Sequence, residues 1–230
     1  EKWGFSRNQL DEFSIRSHQK AIRAQDEGRF EREIMPVAVV NEDGSKTIVT
    51  QDEGPRRESS LEKLAKLPTV FKENGVIHAG NASQMSDGAA ALLIMSKEKA
   101  TQLGLKPRFK IISRTVIGSD PTLMLTGPIE ATKMVIKKSG LTINDMDLYE
   151  VNEAFAPVPL CWMEELGADS EKLNVNGGAI ALGHPLGASG ARVMITLMHE
   201  LERIEGRYGL QAICEGAGMA NATIIERIVE

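Results

Sequence analysis

From Phe109 to the end of the chain, strand and helix signals alternate at short intervals, and this alternation restricts the fold more than any other feature. A β-rich run at 109–117 is followed by a helix opened by Gly127-Pro128. That helix has Glu130 in its first turn, Lys137 and Lys138 in its last, and Gly140 after it, an order that suits the helix dipole and its caps. A strand is expected at 147–152, a helix at about 154–166, a strand at 172–176 and a helix at about 187–204. Two closing strands are expected near 208–215 and 220–228. The order βαβαβαββ predicts a layered α/β domain with a mostly parallel sheet.

The first hundred residues are less regular. Ser6-Arg7-Asn8-Gln9 has the form of a capping box, and Leu10, Phe13, Ser17, Ala21 and Ala24 follow at helical spacing towards a stop at Gly28. Segments 34–40 and 47–50 predict strands around the turn Asn41-Glu42-Asp43-Gly44, and 51–60 a charged loop. A short helix over 60–67 should end before Pro68. Segment 75–81 predicts a strand running into a small-residue loop, and Ala89 to Met95 a buried strand.

Composition narrows the class. The 230 residues are 42% hydrophobic and 26% charged, with a formal net charge of -5. An acidic balance argues against a nucleic-acid binder, and no apolar run reaches membrane-spanning length. Cys161 and Cys214 are too few for a disulfide framework and fit a reducing compartment, with bacterial cytoplasm the expected location. The N-terminus has no signal-peptide pattern. The chain begins at Glu1 rather than Met, as a processed or truncated product would.

Three short stretches concentrate the chemistry: Asn152-Glu153-Ala154-Phe155, Gly183 to Gly190 with His184 inside it, and Cys214-Glu215-Gly216-Ala217-Gly218. Each sets a hydrogen-bonding or titratable side chain beside small residues, where backbone can approach a ligand. His184 lies after a predicted strand and before a helix, where α/β sheets bind ligands, although a surface histidine in a loop has the same local sequence. Cys214 fits either a buried small hydrophobe or an acid/base, with neighbouring Gly-Ala-Gly N–H groups available to an oxyanion. Asn152 fits an N-cap as well as a site residue. Cys161, Trp162 and Met163 read as core. His18, His78 and His199 have no metal-ligand spacing. The basic residues at 56, 57, 63 and 66 suit a solvated face better than a phosphate site. What the three stretches lack is a partner for His184 to activate.

Taken together and in order, these segments resemble the thiolase family. Gly80-Asn81-Ala82-Ser83, Asp87-Gly88-Ala89-Ala90, Gly127-Pro128 and Ser17-His18 resemble it too, so the likeness covers essentially the whole chain. It implies the α/β thiolase fold, layered αβαβα, of two similar halves with a lid-like loop domain. Residues 1–78 would belong to the loop domain, 79–104 to the last strand and helix of the N-terminal half, and 105–230 to the C-terminal thiolase domain. The implied reaction is cleavage of a 3-ketoacyl-CoA by CoA to acetyl-CoA and a shortened acyl-CoA, or the reverse condensation. Coenzyme A is then a substrate, with no permanently bound cofactor and no metal. The implied partners are CoA thioesters and, in the complete protein, copies of itself in a homodimer or homotetramer.

By the same resemblance, His184 would take a proton from a nucleophilic thiol and help bind an oxyanion. Cys214 would be the second acid/base, Asn152 would fix a water for the enolate, and the Gly216 N–H would bind the thioester oxyanion. Ser83, Arg56 and Leu67 would contact CoA, and Met124 and Phe155 would line the acyl pocket. Three departures stand out. The family's nucleophilic cysteine belongs upstream of Glu1, so the isolated chain is expected to be inactive. Ala217 replaces a glycine, which is tolerable where φ is negative. Ala220 and Leu125 stand where smaller residues are usual. A thiolase-like protein that binds acyl-CoA or lipid without catalysis is the alternative. A ketoacyl synthase ranks lower, because such enzymes generally carry histidine or asparagine where Cys214 stands.

Overall fold

The computed structural model describes residues 1–229 of the chain. Helix α1 (Arg7–Asp26) starts from a complete capping box. The Ser6 side chain accepts from the Gln9 N–H, and the Gln9 side chain accepts from the Ser6 N–H. A two-stranded hairpin follows, β1 (Val37–Val40) antiparallel to β2 (Lys46–Val49), then two short helices, α2 (Leu61–Ala65) and α3 (Lys97–Gln102).

The remaining elements build a three-layer unit. In chain order they are β3 (Phe109–Gly118), α4 (Gly127–Ser139), β4 (Leu148–Val151), α5 (Pro157–Leu166), α6 (Ala179–Leu182), α7 (Ser189–Arg203), β5 (Tyr208–Glu215) and β6 (Met219–Arg227). The sheet order is β3-β6-β5-β4. One face, carrying Tyr149, Val151, Leu210, Ala212, Ala222 and Ile224, packs with Ile129 and Val135 of α4 and Trp162 of α5. Leu10 and Phe13 of α1 join the same core. The other face meets α7 through Leu148, Ile225, Leu197 and Leu201.

The expected mostly parallel sheet needs correction. Only β4 and β5 pair in parallel, while β6 is antiparallel to both β3 and β5. The cause is the tight Gly216–Gly218 turn, which folds β6 straight back along β5 and inserts it between two strands of the opposite direction. Segment 172–176 is not a ladder strand either. It makes one parallel bridge, Tyr149↔Leu173, and then Asn174 turns away at φ 44°. The Asn174 amide does the pairing instead: its Oδ1 accepts from the Val151 N–H at 2.9 Å and its Nδ2 donates to the Val151 carbonyl at 2.9 Å. Asparagine tolerates the left-handed region better than most residues.

Segment 75–81 forms a single bridge, Thr69↔His78, followed by a 3-10 turn at Ala79–Asn81. Local side-chain bonds win over a ladder there. The His78 N–H donates to Asn81 Oδ1, the Gly80 N–H donates to His78 Nδ1, and His78 Nε2 lies 2.7 Å from Asp11 Oδ1. Residues 89–95 form neither helix nor strand and are largely exposed, with Leu93 at 80% and Ile94 at 69%. An apolar run forms a buried strand only beside a neighbouring strand, and among the described residues none pairs with this one.

Glu153 ties these pieces together. Its carboxylate is 1% exposed and accepts from the Ser17 hydroxyl at 2.7 Å, the Asn174 amide at 2.9 Å and the Ile180 N–H at 3.2 Å. Burial raises its pKa, and the Ser17, Asn174 and Ile180 bonds oppose that rise. Glu153→Ala strands those donors in the core, so we expect a loss of about 3 kcal/mol or more in unfolding free energy. Glu153→Gln should lose less. Urea unfolding measures both; a change in Glu153→Ala below about 0.5 kcal/mol would remove Glu153 from this role.

Candidate active site

Asn152 and Cys214 lie at the carboxyl ends of the two parallel strands, where α/β sheets gather ligands. Asn152 follows β4 directly and extends its ladder, donating its N–H to the Ala212 carbonyl at 3.1 Å. It caps no helix, because α5 starts after Ala156. Cys214 is the penultimate residue of β5. His184 arrives from the other direction: α6 ends at Leu182, Gly183 turns at φ 88°, and the His184 N–H donates to the Gln84 carbonyl at 2.9 Å.

The Asn152 amide joins the other two side chains. Its Nδ2 lies 3.3 Å from His184 Nε2, and the same amide opposes the burial-driven rise of the Cys214 thiol pKa. An amide nitrogen only donates, so Nε2 carries the lone pair and Nδ1 carries the proton. Nδ1 lies 2.6 Å from Ser189 Oγ, whose own proton goes to the Pro185 carbonyl at 3.0 Å. The imidazole is thereby held as the tautomer with a basic Nε2 facing the site. Burial, and then the nearby Arg192 charge, depress the His184 pKa, so the ring is neutral at neutral pH. Asn152 Oδ1 is buried without a hydrogen-bond partner among the described residues.

Cys214 is 7% exposed, and burial pushes its thiol up to about 11, against the pull of its own backbone and the Asn152 amide. It is therefore protonated at neutral pH and suited to donate a proton. Ala154, Val158, Leu125 and Phe155 pack around it. Phe155 also meets Phe71 edge to face, with centroids 5.8 Å apart. Gly216 is exposed, and the space beside its Cα is open.

The other candidate residues lie outside this cluster. Met124 is half-exposed at φ 48°, and its neighbour Leu125, not Met124, packs with Cys214. Ser83 is tied to the rim, donating its N–H to the Ala154 carbonyl at 3.0 Å. The Arg56 N–H donates to His18 Nδ1 at 3.1 Å, and burial first, then the Arg56 charge, lower the His18 pKa to about 4. The Leu67 carbonyl accepts from Arg7 at 2.7 Å. Sequence reasoning missed the part played by Ser189, although it lies five positions after His184 in the same glycine-rich motif. Among the described residues, no group of three or more His, Cys, Asp or Glu side chains could hold a metal ion.

One expectation fails at the turn beside the thiol. Ala217 adopts φ 61°, ψ 28°, in the left-handed region, not the negative φ that suits alanine. Ala217→Gly should therefore raise the unfolding free energy by up to about 1 kcal/mol; a loss of stability in chemical denaturation would contradict this.

The thiols make a second expectation. Cys161 is 3% exposed, its Sγ donates to the Val158 carbonyl at 3.2 Å, and burial pushes it up to about 12. With both thiols buried and protonated, iodoacetamide should leave the native chain unmodified at pH 7.5 and react faster as the pH approaches about 11. Rapid labelling of Cys214 at pH 7.5, read by mass spectrometry, would contradict the raised pKa.

The chain is similar to known proteins in both sequence and fold. Residues 1–98 match the family model for the thiolase N-terminal domain, and residues 105–227 match that for the thiolase C-terminal domain. The steroid 3-ketoacyl-CoA thiolase FadA6 of Mycobacterium tuberculosis is 51% identical over 228 residues, spanning 99% of this chain and 54% of that protein. An acetyl-CoA acetyltransferase of Chromobacterium violaceum is 48% identical, spanning 98% of this chain and 58% of its own length. The crystal structure of the Bacillus anthracis acetyl-CoA acetyltransferase superimposes with a TM-score of 0.95 at 40% identity, covering 99% of this chain and 57% of that one. Human mitochondrial 3-ketoacyl-CoA thiolase in complex with CoA gives 0.91 at 42% identity, covering 99% and 56%. The chain thus spans little more than half the length of these relatives, and it belongs to the thiolase family.

Proposed function

We propose that this chain is the part of a thiolase that supplies the acid/base and oxyanion groups for cleaving a 3-ketoacyl-CoA with CoA. The observation that carries the reading is the Asn152 amide, 3.3 Å from His184 Nε2 and near enough to the Cys214 thiol to oppose the rise of its pKa. One neutral base and one protonated acid meet at the ends of parallel strands, beside the same amide.

In this reading, His184 Nε2 takes the proton of a nucleophilic cysteine supplied by the complete protein. That thiolate adds to the 3-keto carbon, and His184, now protonated, stabilises the oxyanion. The C2–C3 bond then breaks, leaving an acyl-enzyme and the enolate of acetyl-CoA. Cys214 gives its proton to C2, releasing acetyl-CoA and leaving the Cys214 thiolate. That thiolate takes the proton of incoming CoA, whose sulfur attacks the acyl-enzyme. Shortened acyl-CoA leaves, the nucleophilic cysteine recovers its proton from His184, and all groups return to their starting state. A thiol raised to about 11 fits this role, since it must hold its proton until the C2–C3 bond breaks and a carbanion forms. Asn152 is assigned the fixing of a water for the enolate.

Neither cysteine in these residues serves as the nucleophile in this scheme, so residues 1–230 alone are proposed to perform no thiolysis. Residues 1–78 are assigned to the lid, 79–104 to the N-terminal half and 105–230 to the C-terminal domain. Ser83, Arg56 and Leu67 are assigned to the CoA face, and Gly216 to the thioester oxyanion. Phe155 and Met124 are assigned to the acyl pocket. No helix of the described residues is long and apolar enough to cross a membrane, and the proposed setting is cytoplasmic, as a homodimer or homotetramer.

In the complete protein, acetoacetyl-CoA or a longer 3-ketoacyl-CoA should be consumed when CoA is added, followed by loss of the ketoacyl absorbance. Cys214→Ala should lower that rate at least about 100-fold while alkylation of the nucleophilic cysteine stays normal. His184→Ala should slow both. Near wild-type thiolysis in Cys214→Ala would end the acid/base assignment.

A further inference from the structure

The short helix that delivers His184 is held at both ends by side chains from elsewhere in the chain. At its start, the Gly178 N–H donates to Ser17 Oγ at 3.1 Å and the Ile180 N–H donates to Glu153 Oε2 at 3.2 Å. At its end, Gln84 Nε2 lies 2.9 Å from the Ile180 carbonyl and 3.2 Å from the Ala181 carbonyl. A helix of four residues cannot satisfy those carbonyls internally, so the Gln84 amide caps them. The same nitrogen lies 3.1 Å from the Gly54 carbonyl, two positions before Arg56. The Gln84 carbonyl also accepts the His184 N–H.

The segments around this amide approach one another closely at two glycines. A Cβ at Gly54 would collide with the Ala181 carbonyl, and one at Gly183 would collide with the Ser86 hydroxyl. Three segments, around residues 54, 84–86 and 181–184, are interlocked at backbone distance with Gln84 between them. None of the contacts of Gln84 is to a reacting group.

We propose that Gln84 is a positioning residue that sets the height of His184 through the carbonyl end of α6 and couples the Gly54 segment to the catalytic base. This rests on His184 acting as the base, as proposed above. The essential property is donation to carbonyls, so an isosteric change that removes the donor should be worse than an apolar one. Gln84→Glu aims a carboxylate at three carbonyl oxygens, and Gln84→Leu merely leaves them uncapped.

The test uses the complete protein and two readouts: steady-state thiolysis of acetoacetyl-CoA, and the iodoacetamide alkylation rate of its nucleophilic cysteine. Gln84→Glu should lower kcat and the alkylation rate together by about 10-fold or more, with KM for CoA within about twofold. Gln84→Leu should fall between Gln84→Glu and wild type. In a His184→Ala background, Gln84→Glu should cause no further loss of alkylation. Thermal unfolding and circular dichroism establish that each variant is folded. If Gln84→Glu is folded and alkylates at the wild-type rate while His184→Ala does not, the positioning role is overturned and the base assignment stands. If His184→Ala itself alkylates normally, the base assignment is what fails. If Gln84→Glu does not fold, Gln84→Leu decides: wild-type kcat and alkylation in that variant overturn the proposal.

Discussion

The Glu153 carboxylate is the interaction on which the rest of the site depends. A buried carboxylate carries a large desolvation cost, and only an enclosing set of donors makes it tolerable. Those donors come from three places: Ser17 on the distant α1, Asn174 after the β4 bridge, and the backbone of Ile180 on α6. Satisfying one buried carboxyl group therefore fixes three segments relative to the end of β4. Asn152 is the residue immediately before it and inherits that placement. The route to His184 also runs through Glu153, since α6 starts from its carboxylate and ends one glycine before the histidine.

The division between acid and base comes from burial acting on two kinds of group. For a histidine, exclusion of water favours the neutral ring; for a thiol, it favours the protonated form. The same apolar enclosure thus leaves one group ready to accept a proton and the other ready to give one. Asn152 contributes orientation to the ring, since its amide donates to Nε2. Ser189 contributes the tautomer from the far side of the ring.

Much of this was legible in the sequence wherever a signal was local. The capping box at Ser6, the punctuation of α4 and the motifs around Asn152, His184 and Cys214 each lie within a few adjacent residues. What escaped depends on distant partners. The strand expected at 172–176 gave way to an asparagine side chain bonded to Val151, and no propensity scale registers such a substitution. The placing of β6 between β3 and β5 follows from a three-residue turn, whereas the alternation of strand and helix suggested a mostly parallel sheet. The left-handed Ala217 was unreadable because the chain departs there from its own usual residue preference. Gln84 is one polar residue in a small-residue loop, and its three carbonyl partners lie 30, 96 and 97 positions away.

The Asn174 amide has a consequence for the outer margin of the sheet. Strand β4 stands at the end of the order β3-β6-β5-β4, where a free row of N–H and C=O groups would invite another chain to pair. Asn174 occupies both main-chain groups of Val151, and its own N–H takes the Tyr149 carbonyl at 2.9 Å. The margin nearest the reactive groups is thus sealed by a side chain that no incoming strand can extend. Growth of the sheet by edge-to-edge association is blocked on that side, and the residue that guards it is also one of the donors that hold Glu153.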